Sequence, residues 1–191
     1  KKVAMVKTKV VVSEHLAFSF LETADPKVQQ AHQKMFVTMR LSYPFADAIV
    51  TVSQGVADDL RSVAGIRQKT QVIFNPVLSQ EVFRKAALPV SHPWLHTDIP
   101  VVVGVGRLNR QKDFPTLLRA FAILRKMRPA RLMILGEGED RAMLEALIKE
   151  LNIGDDVWLP GFVDNPYAYM KNADVFVLSS IFEGLPTVLI E

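Results

Sequence analysis

Short β-type runs alternate with stretches of helical period along almost the whole chain, and that alternation leaves few folds open. The β-type runs are residues 9–13, 48–52, 70–74, 101–105, 131–135, 157–159 and 175–178. Between most of them lie segments with apolar residues three and four apart: 27–42, 56–64 (closed by Gly65), 115–126, and 140–151 (followed by Gly154). In 115–126, Leu117, Leu118, Phe121, Ala122 and Leu124 share one face. Asp113 suits the N-cap region of that helix, and Pro115 suits its first turn. Strands alternating with helices of this length build βαβ units, whose strands run parallel. The predicted fold class is α/β, with two Rossmann-like domains of mostly parallel sheet.

The alternation breaks once. Residues 84–98 are rich in Pro, His and charge and carry no period, so they read as an interdomain linker. The predicted domains are then 1–83 and 99–191. The first contains about three strands and the second about four, against roughly 5–6 in a complete doubly wound domain. Both domains are therefore expected to be incomplete.

Composition narrows the function. A net charge of +3, without a dense basic run interleaved with aromatics, argues against nucleic acid as a partner. Lys1, Lys2, Lys7 and Lys9 make a mildly basic start that reads as a solvated edge. The chain has no cysteine, which removes disulfides, thiolate metal sites and a Cys nucleophile. No apolar stretch approaches the ~20 residues that span a bilayer. A cytoplasmic location is expected. Met35, Phe36, Met39 and Leu41, beside Lys34 and Arg40, form an amphipathic stripe. Core packing is its first reading; peripheral contact with the inner face of the membrane is a minority one.

The polar residues concentrate after the strands. Ligands in a parallel sheet bind at that carboxyl edge. After 101–105 come Gly106, Arg107, Asn109, Arg110 and Lys112. Two cations there suit a diphosphate, since Arg offers a planar donor fork and Lys a point charge. Gly104 and Gly106 are expected to admit close approach of a ligand. After 131–135 comes Gly136-Glu137-Gly138-Glu139-Asp140, a tight turn whose acids can open the next helix. Glu137 reads as a turn or cap residue, and Arg110 as solvent-facing. After 157–159 come Pro160, Gly161, Phe162 and Val163, and after 175–178 come Ser179, Ser180, Phe182, Glu183 and Gly184. Glu183 and Glu191 lie eight residues apart. Gly184 and Pro186 suggest a helix beginning near Thr187, with Glu183 before it and Glu191 one turn inside. Carboxylates so placed suit sugar hydroxyls on either side of a diphosphate.

Generic phosphate motifs are absent. Gly104-x-Gly106 has Asn109 where a dinucleotide fingerprint needs its third glycine, and Gly136-x-Gly138 has Arg141 there. No Walker loop, Asp-x-Asp pair or His/carboxylate set with metal spacing occurs, so no metal is expected.

Taken in order, these clusters resemble the retaining glycosyltransferases of family 4, the "group 1" class with the GT-B fold. The resemblance runs from Val103-Gly104-Val105-Gly106-Arg107-Leu108 through Lys112-Asp113-Phe114 to Leu135-Gly136-Glu137-Gly138. It continues through Val157-Trp158-Leu159-Pro160-Gly161-Phe162 and Ala173-Asp174-Val175-Phe176 to Glu183 and Glu191. Ala46-Asp47-Ala48, Asn75-Pro76 and Val12-Ser13-Glu14-His15 resemble, less tightly, the end of that class's first domain. The opening Gly-rich loop of the class has no counterpart here.

The resemblance implies a sugar transfer from a nucleotide-diphosphate donor to a polysaccharide or glycolipid acceptor, with retention and without a metal or other cofactor. UDP-sugar is the expected donor, with GDP- and ADP-sugars as alternatives. Arg107 and Lys112 would neutralise the diphosphate, and Glu183 would hold sugar hydroxyls. Gly184 and Leu185 would offer backbone amides, and Glu191 would bind the ribose. His15 would stand beside the transferred sugar, and Gly106, Phe162 and Val163 would lie against the nucleotide. Two other readings stand beside it: a non-catalytic nucleotide-sugar-binding fragment or half of a split enzyme, and a GT-B sugar-nucleotide epimerase.

Overall fold

The structure is a computed structural model and describes residues 8–19 and 26–191. Lys1, Lys2 and Lys7 of the basic start lie outside the described residues. The chain divides into two compact units. One comprises Lys1–Pro76 with Phe182–Thr187, the other Val77–Ile181 with Val188–Glu191.

The first unit contains β1 (Val11–Glu14), α1 (Pro26–Ser42), β2 (Ala48–Thr51), α2 (Gln54–Ser62) and β3 (Thr70–Val72). Its strands form a parallel sheet in the order β1-β2-β3. The core gathers Phe18, Met39, Ile49, Leu60, Ala64 and Ile66, with Met35 and Phe36 packed against it. Core packing thus accounts for Met35, Phe36 and Met39 of the amphipathic stripe, while Leu41 is exposed. Ser53 caps α2, and Gly65 at φ +70° ends it, with Ile66 N–H closing onto Leu60 O at 2.8 Å.

The second unit contains α3 (Gln80–Ala86), β4 (Val101–Val105), α4 (Phe114–Met127), β5 (Arg131–Leu135), α5 (Arg141–Glu150), β6 (Val157–Gly161), α6 (Pro166–Asn172) and β7 (Val175–Phe176). The parallel order is β6-β5-β4-β7. Side-chain alternation divides the strands between two cores. Leu132 and Ile134 join Leu117, Leu118 and Phe121 of α4 and Leu144, Leu147 and Ile148 of α5. Val101, Val103, Met133 and Leu135 form the other core, under Trp94, Leu95, Tyr169 and Met170. Both faces are covered, which is why these strands read as unbroken apolar runs.

A short pattern occurs in both units, at 46–53 (ADAIVTVS) and 173–180 (ADVFVLSS). Its aspartate does the same work each time. Asp47 Oδ2 accepts from Val10 N–H at 2.8 Å, and Asp47 N–H returns to Val10 O at 2.8 Å. Asp174 repeats this with Val101 at 2.8 and 3.0 Å. Each aspartate clips the start of its own strand to the strand beside it. Asp156, only 14 % exposed at its side chain, is further held at the amino edge of the second sheet by Arg125 at 2.5 Å and by Arg131.

Several expectations change. The compact units part after Pro76, and α3 straddles residue 83, the expected end of the first domain. The 84–98 segment holds the end of α3 and a 3-10 turn, Pro93–His96, whose Trp94 and Leu95 join the second core. The helices α3 and α6 were not legible, because seven residues make barely two turns. Asn152 at φ +53°, not Gly154, takes the left-handed turn after α5. Finally, the stretch after Pro186 forms one 3-10 turn, Thr187–Leu189, and Glu191 lies beyond it.

Candidate functional site

The order β6-β5-β4-β7 puts a topological switch point between β4 and β7, since the chain leaves β4 toward β5 and returns from β6 to its other side. Loops on the two sides of such a point diverge and leave a crevice outside the carboxyl ends. Here the loops flanking it are tied together. Ser179 Oγ donates to Lys112 O at 2.6 Å, and Ile181 N–H to Gln111 O at 2.8 Å. Asn109 caps the 3-10 turn Arg110–Lys112, and Asp113, at φ 46°, caps α4. Arg110 is exposed, as expected.

The strand ends of β4, β5 and β6 continue pairing after the regular ladder stops. Gly106 N–H donates to Leu135 O at 3.0 Å, Gly136 N–H to Gly161 O at 2.8 Å and Leu108 N–H to Glu137 O at 2.9 Å. Leu108 is fully buried, which fixes the loop and turns Arg107 outward. This zippering explains the glycines. A Cβ on Gly136 would stand 1.9 Å from Gly106 O, and one on Gly138 2.2 Å from Leu108 O. They let two loop backbones touch. Gly104 likewise serves the protein rather than direct ligand approach, whereas Gly106 still faces the cavity formed here. Leu117 and Phe114 fill the space beside Gly104, and the Lys112 stem lies over Gly106, each 3.1–3.2 Å from a hypothetical Cβ.

The result is a cavity of about 300 Å³. From β4 it takes Val105, Gly106 and Arg107; from β5, Leu135, Gly136 and Glu137; from beyond β6, Phe162, Val163 and Pro166. Its walls are mainly apolar and its charges are one cation and one carboxylate. A mainly apolar hollow with a few polar groups is the usual form of a small-molecule site. Arg107 Nη2 lies 3.1 Å from Glu139 Oε2, with the side chains 69 % and 57 % exposed. Glu139's carboxyl is held low, chiefly by a backbone hydrogen bond and also by Arg107. Glu137 pairs with Arg141 at 2.8 Å, and Arg141 Nη2 donates to Leu159 O at 2.9 Å. Glu137 fills the space beside Gly161 that a side chain would need.

Four expected residues thus meet at one cavity, Gly106, Arg107, Phe162 and Val163, with Lys112 lying on Gly106. Glu191 is close enough to Tyr167, next to Pro166, to help raise its phenol, although burial is the larger cause. His15 and Gly184 meet in the first unit, where Gly184's hypothetical Cβ would lie 1.9 Å from His15 O. The exposed His15 ring bonds Ser13 Oγ at 2.9 Å. Glu183 and Leu185 are half-buried beside Gly184 in sequence. Sequence reasoning treated Glu137 as a turn residue and missed it as a wall. The signal was its offset: Arg107, Glu137 and Val163 each stand two residues past the end of their strand. Among the described residues, no group of three or more His, Asp or Glu side chains is placed to hold a metal.

Parallel-sheet units with polar loops at the carboxyl edge define an α/β protein of the doubly wound type, and the solved structures similar to it place it in the GT-B class. The chain belongs to the glycosyl transferases group 1 family, whose sequence profile matches residues 93–191. A Campylobacter jejuni relative is 38% identical over 152 residues, covering 79% of this chain and 40% of its own length. It is the N-acetylgalactosamine-N,N'-diacetylbacillosaminyl-diphospho-undecaprenol 4-alpha-N-acetylgalactosaminyltransferase. The lipopolysaccharide core biosynthesis glycosyltransferase LpsD of Rhizobium meliloti is 32% identical over 173 residues, covering 84% of this chain and 47% of its own. The chain therefore spans less than half of either relative. Among solved structures, HepE of Anabaena in complex with UDP matches with TM-score 0.65 at 20% identity, over 92% of this chain and 48% of its own. Trehalose-6-phosphate synthase OtsA matches with TM-score 0.73 at 16% identity, over 98% of this chain and 50% of its own. At these identities the likeness is one of fold. No described helix is long and apolar enough to cross a membrane.

Proposed function

We propose that the chain carries the donor-binding part of a retaining glycosyltransferase that takes a UDP-sugar and glycosylates a saccharide or lipid-linked acceptor. The observation that carries this reading is the apolar cavity at the carboxyl edge of β4, β5 and β6, rimmed by Arg107 and with Lys112 lying over Gly106. The base enters against Phe162 and Val163. The diphosphate lies toward Arg107 and Lys112. The names of the two bacterial relatives, one acting on a diphospho-undecaprenol and one in lipopolysaccharide core biosynthesis, support the acceptor class.

In the reaction, the bond from the sugar's anomeric carbon to the β-phosphate oxygen breaks. The acceptor oxygen attacks from the same face, and its proton passes to the departing phosphate. Negative charge grows on the diphosphate as that bond lengthens. Fixed cations stabilise it without the reorganisation water would need, which is the task a metal performs elsewhere. Arg107 and Lys112 fill that role, so no metal is required. Glu183 holds the sugar hydroxyls, Gly184 and Leu185 offer backbone amides, Glu191 binds the ribose and His15 stands beside the transferred sugar. A cytoplasmic setting, with peripheral contact at the inner membrane face, suits a lipid-linked acceptor.

Calorimetric titration of UDP, GDP and ADP tests the reading. UDP binds most tightly, and Arg107→Ala/Lys112→Ala weakens it by roughly 100-fold or more, each charged hydrogen bond being worth about 1.5–3 kcal/mol. A folded chain that binds no nucleotide, or whose affinity survives the double substitution, sinks it.

A further inference from the structure

Ser53 sits where β2 turns into α2, and its hydroxyl serves two partners. Oγ accepts from Val56 N–H at 3.2 Å as the N-cap of α2, and donates to Gly184 O at 2.8 Å. A serine hydroxyl has one proton, so that proton is committed to Gly184. The other side of Gly184 is equally confined, since any Cβ would fall 1.9 Å from His15 O. Ser53, His15 and Phe182–Thr187 all belong to the first unit. Gly184 is thus pinned between the hydroxyl of one strand end and the backbone of another.

A trans peptide is planar, and its C=O and N–H point in opposite directions. Holding Gly184 O therefore also sets the direction of the Leu185 N–H, away from Ser53. The same restraint limits the backbone that carries Glu183.

We propose that Ser53 is a positioning residue for the loop that receives the donor sugar. By binding Gly184 O it aims the Leu185 amide and steadies the Glu183 carboxylate, without touching the donor itself. This rests on the reading of Glu183, Gly184 and Leu185 as donor-sugar residues. Nothing in the serine's local sequence signals it, because an N-cap serine needs only its acceptor.

Three substitutions separate capping from positioning. Ser53→Asp keeps a strong N-cap acceptor but has no proton to donate at neutral pH. Ser53→Thr keeps both functions, and Ser53→Ala loses both. Two readouts are taken on the 191-residue chain. One is the carbonyl ¹³C shift of Gly184, which reports the hydrogen bond directly. The other is the ratio of affinities for the best-bound of UDP-glucose, UDP-N-acetylglucosamine and UDP-N-acetylgalactosamine over that for UDP, which isolates the sugar's contribution.

Ser53→Asp is expected to move the Gly184 shift and lower the affinity ratio by roughly 2–10-fold, the net worth of one hydrogen bond. UDP affinity stays at the wild-type value, the melting temperature falls by no more than the few degrees that one lost hydrogen bond costs, and Ser53→Thr matches wild type throughout. A moved shift with an unchanged ratio overturns the positioning role, as does an unmoved shift in Ser53→Asp. A wild-type chain that binds UDP but gains nothing from any of the three sugars overturns the donor-sugar reading of this loop, and the role of Ser53 with it. That result appears before any substitution is made, so the two failures are told apart.

Discussion

At the scale of single residues, the candidate site depends more on what is missing than on what is charged. Gly136 combines φ +148° with a Gly106 carbonyl 1.9 Å from where a Cβ would stand, and no side chain can give way there, since both sides are backbone. Gly136→Ala is therefore expected to cost at least about 3 kcal/mol, from the strained backbone and the forced separation of two loops. Urea unfolding should show it as a lowered midpoint, with nucleotide affinity lost in parallel. Arg107 is the contrasting case. Its ion pair with Glu139 is exposed at both ends, so it contributes little to stability. That leaves the guanidinium available to exchange Glu139 for a phosphate at small cost.

At the scale of elements, the 3-10 turn Pro93–His96 is small, yet it covers one core of the second sheet. His92 caps it, its Nδ1 accepting from Trp94 N–H at 3.3 Å. The ring packs 4.2 Å from Trp158 and 5.2 Å from Trp94. Trp158 meets Tyr169 in turn, and the Arg131 guanidinium lies over Trp94 at 5.1 Å. Burial holds the His92 imidazole below its ordinary value, and the cap needs the neutral Nδ1 lone pair. The sign follows from linkage. A depressed folded value gives stability that is complete above the unfolded pKa of about 6.5 and is lost as pH falls through the folded value. Tryptophan fluorescence should report an unfolding midpoint that drops as the pH is taken from 7.5 to about 5. His92→Asn, which keeps a capping acceptor and cannot titrate, should flatten that drop.

At the scale of the whole molecule, a ligand bound only by the folded chain raises stability by mass action. UDP at about 100 times its dissociation constant should stabilise the second unit by ~2.7 kcal/mol, read as an increase in melting temperature. The increase should vanish in Arg107→Ala/Lys112→Ala. No increase in the wild type, with the transition intact, would falsify the donor site. Much of this was legible beforehand. The seven β-type runs all became parallel strands, and Gly106, Arg107, Phe162 and Val163 came together at the cavity. Strand and helix periods are written in neighbouring side chains, and a parallel sheet must deliver the residues after its strands to one edge. The family followed from the order of those same clusters.

What the sequence could not determine was which distant backbones would touch. The roles of Gly136 and Gly138 depend on loops that follow a different strand. Glu139 meets Arg107 across 32 residues, and Ser53 meets Gly184 across 131. The short helices α3 and α6, and the boundary after Pro76, also answer to packing rather than local pattern. Periodicity records what a residue needs from its own element. A close approach is decided only when two elements are laid against each other, and that information exists in the tertiary structure alone.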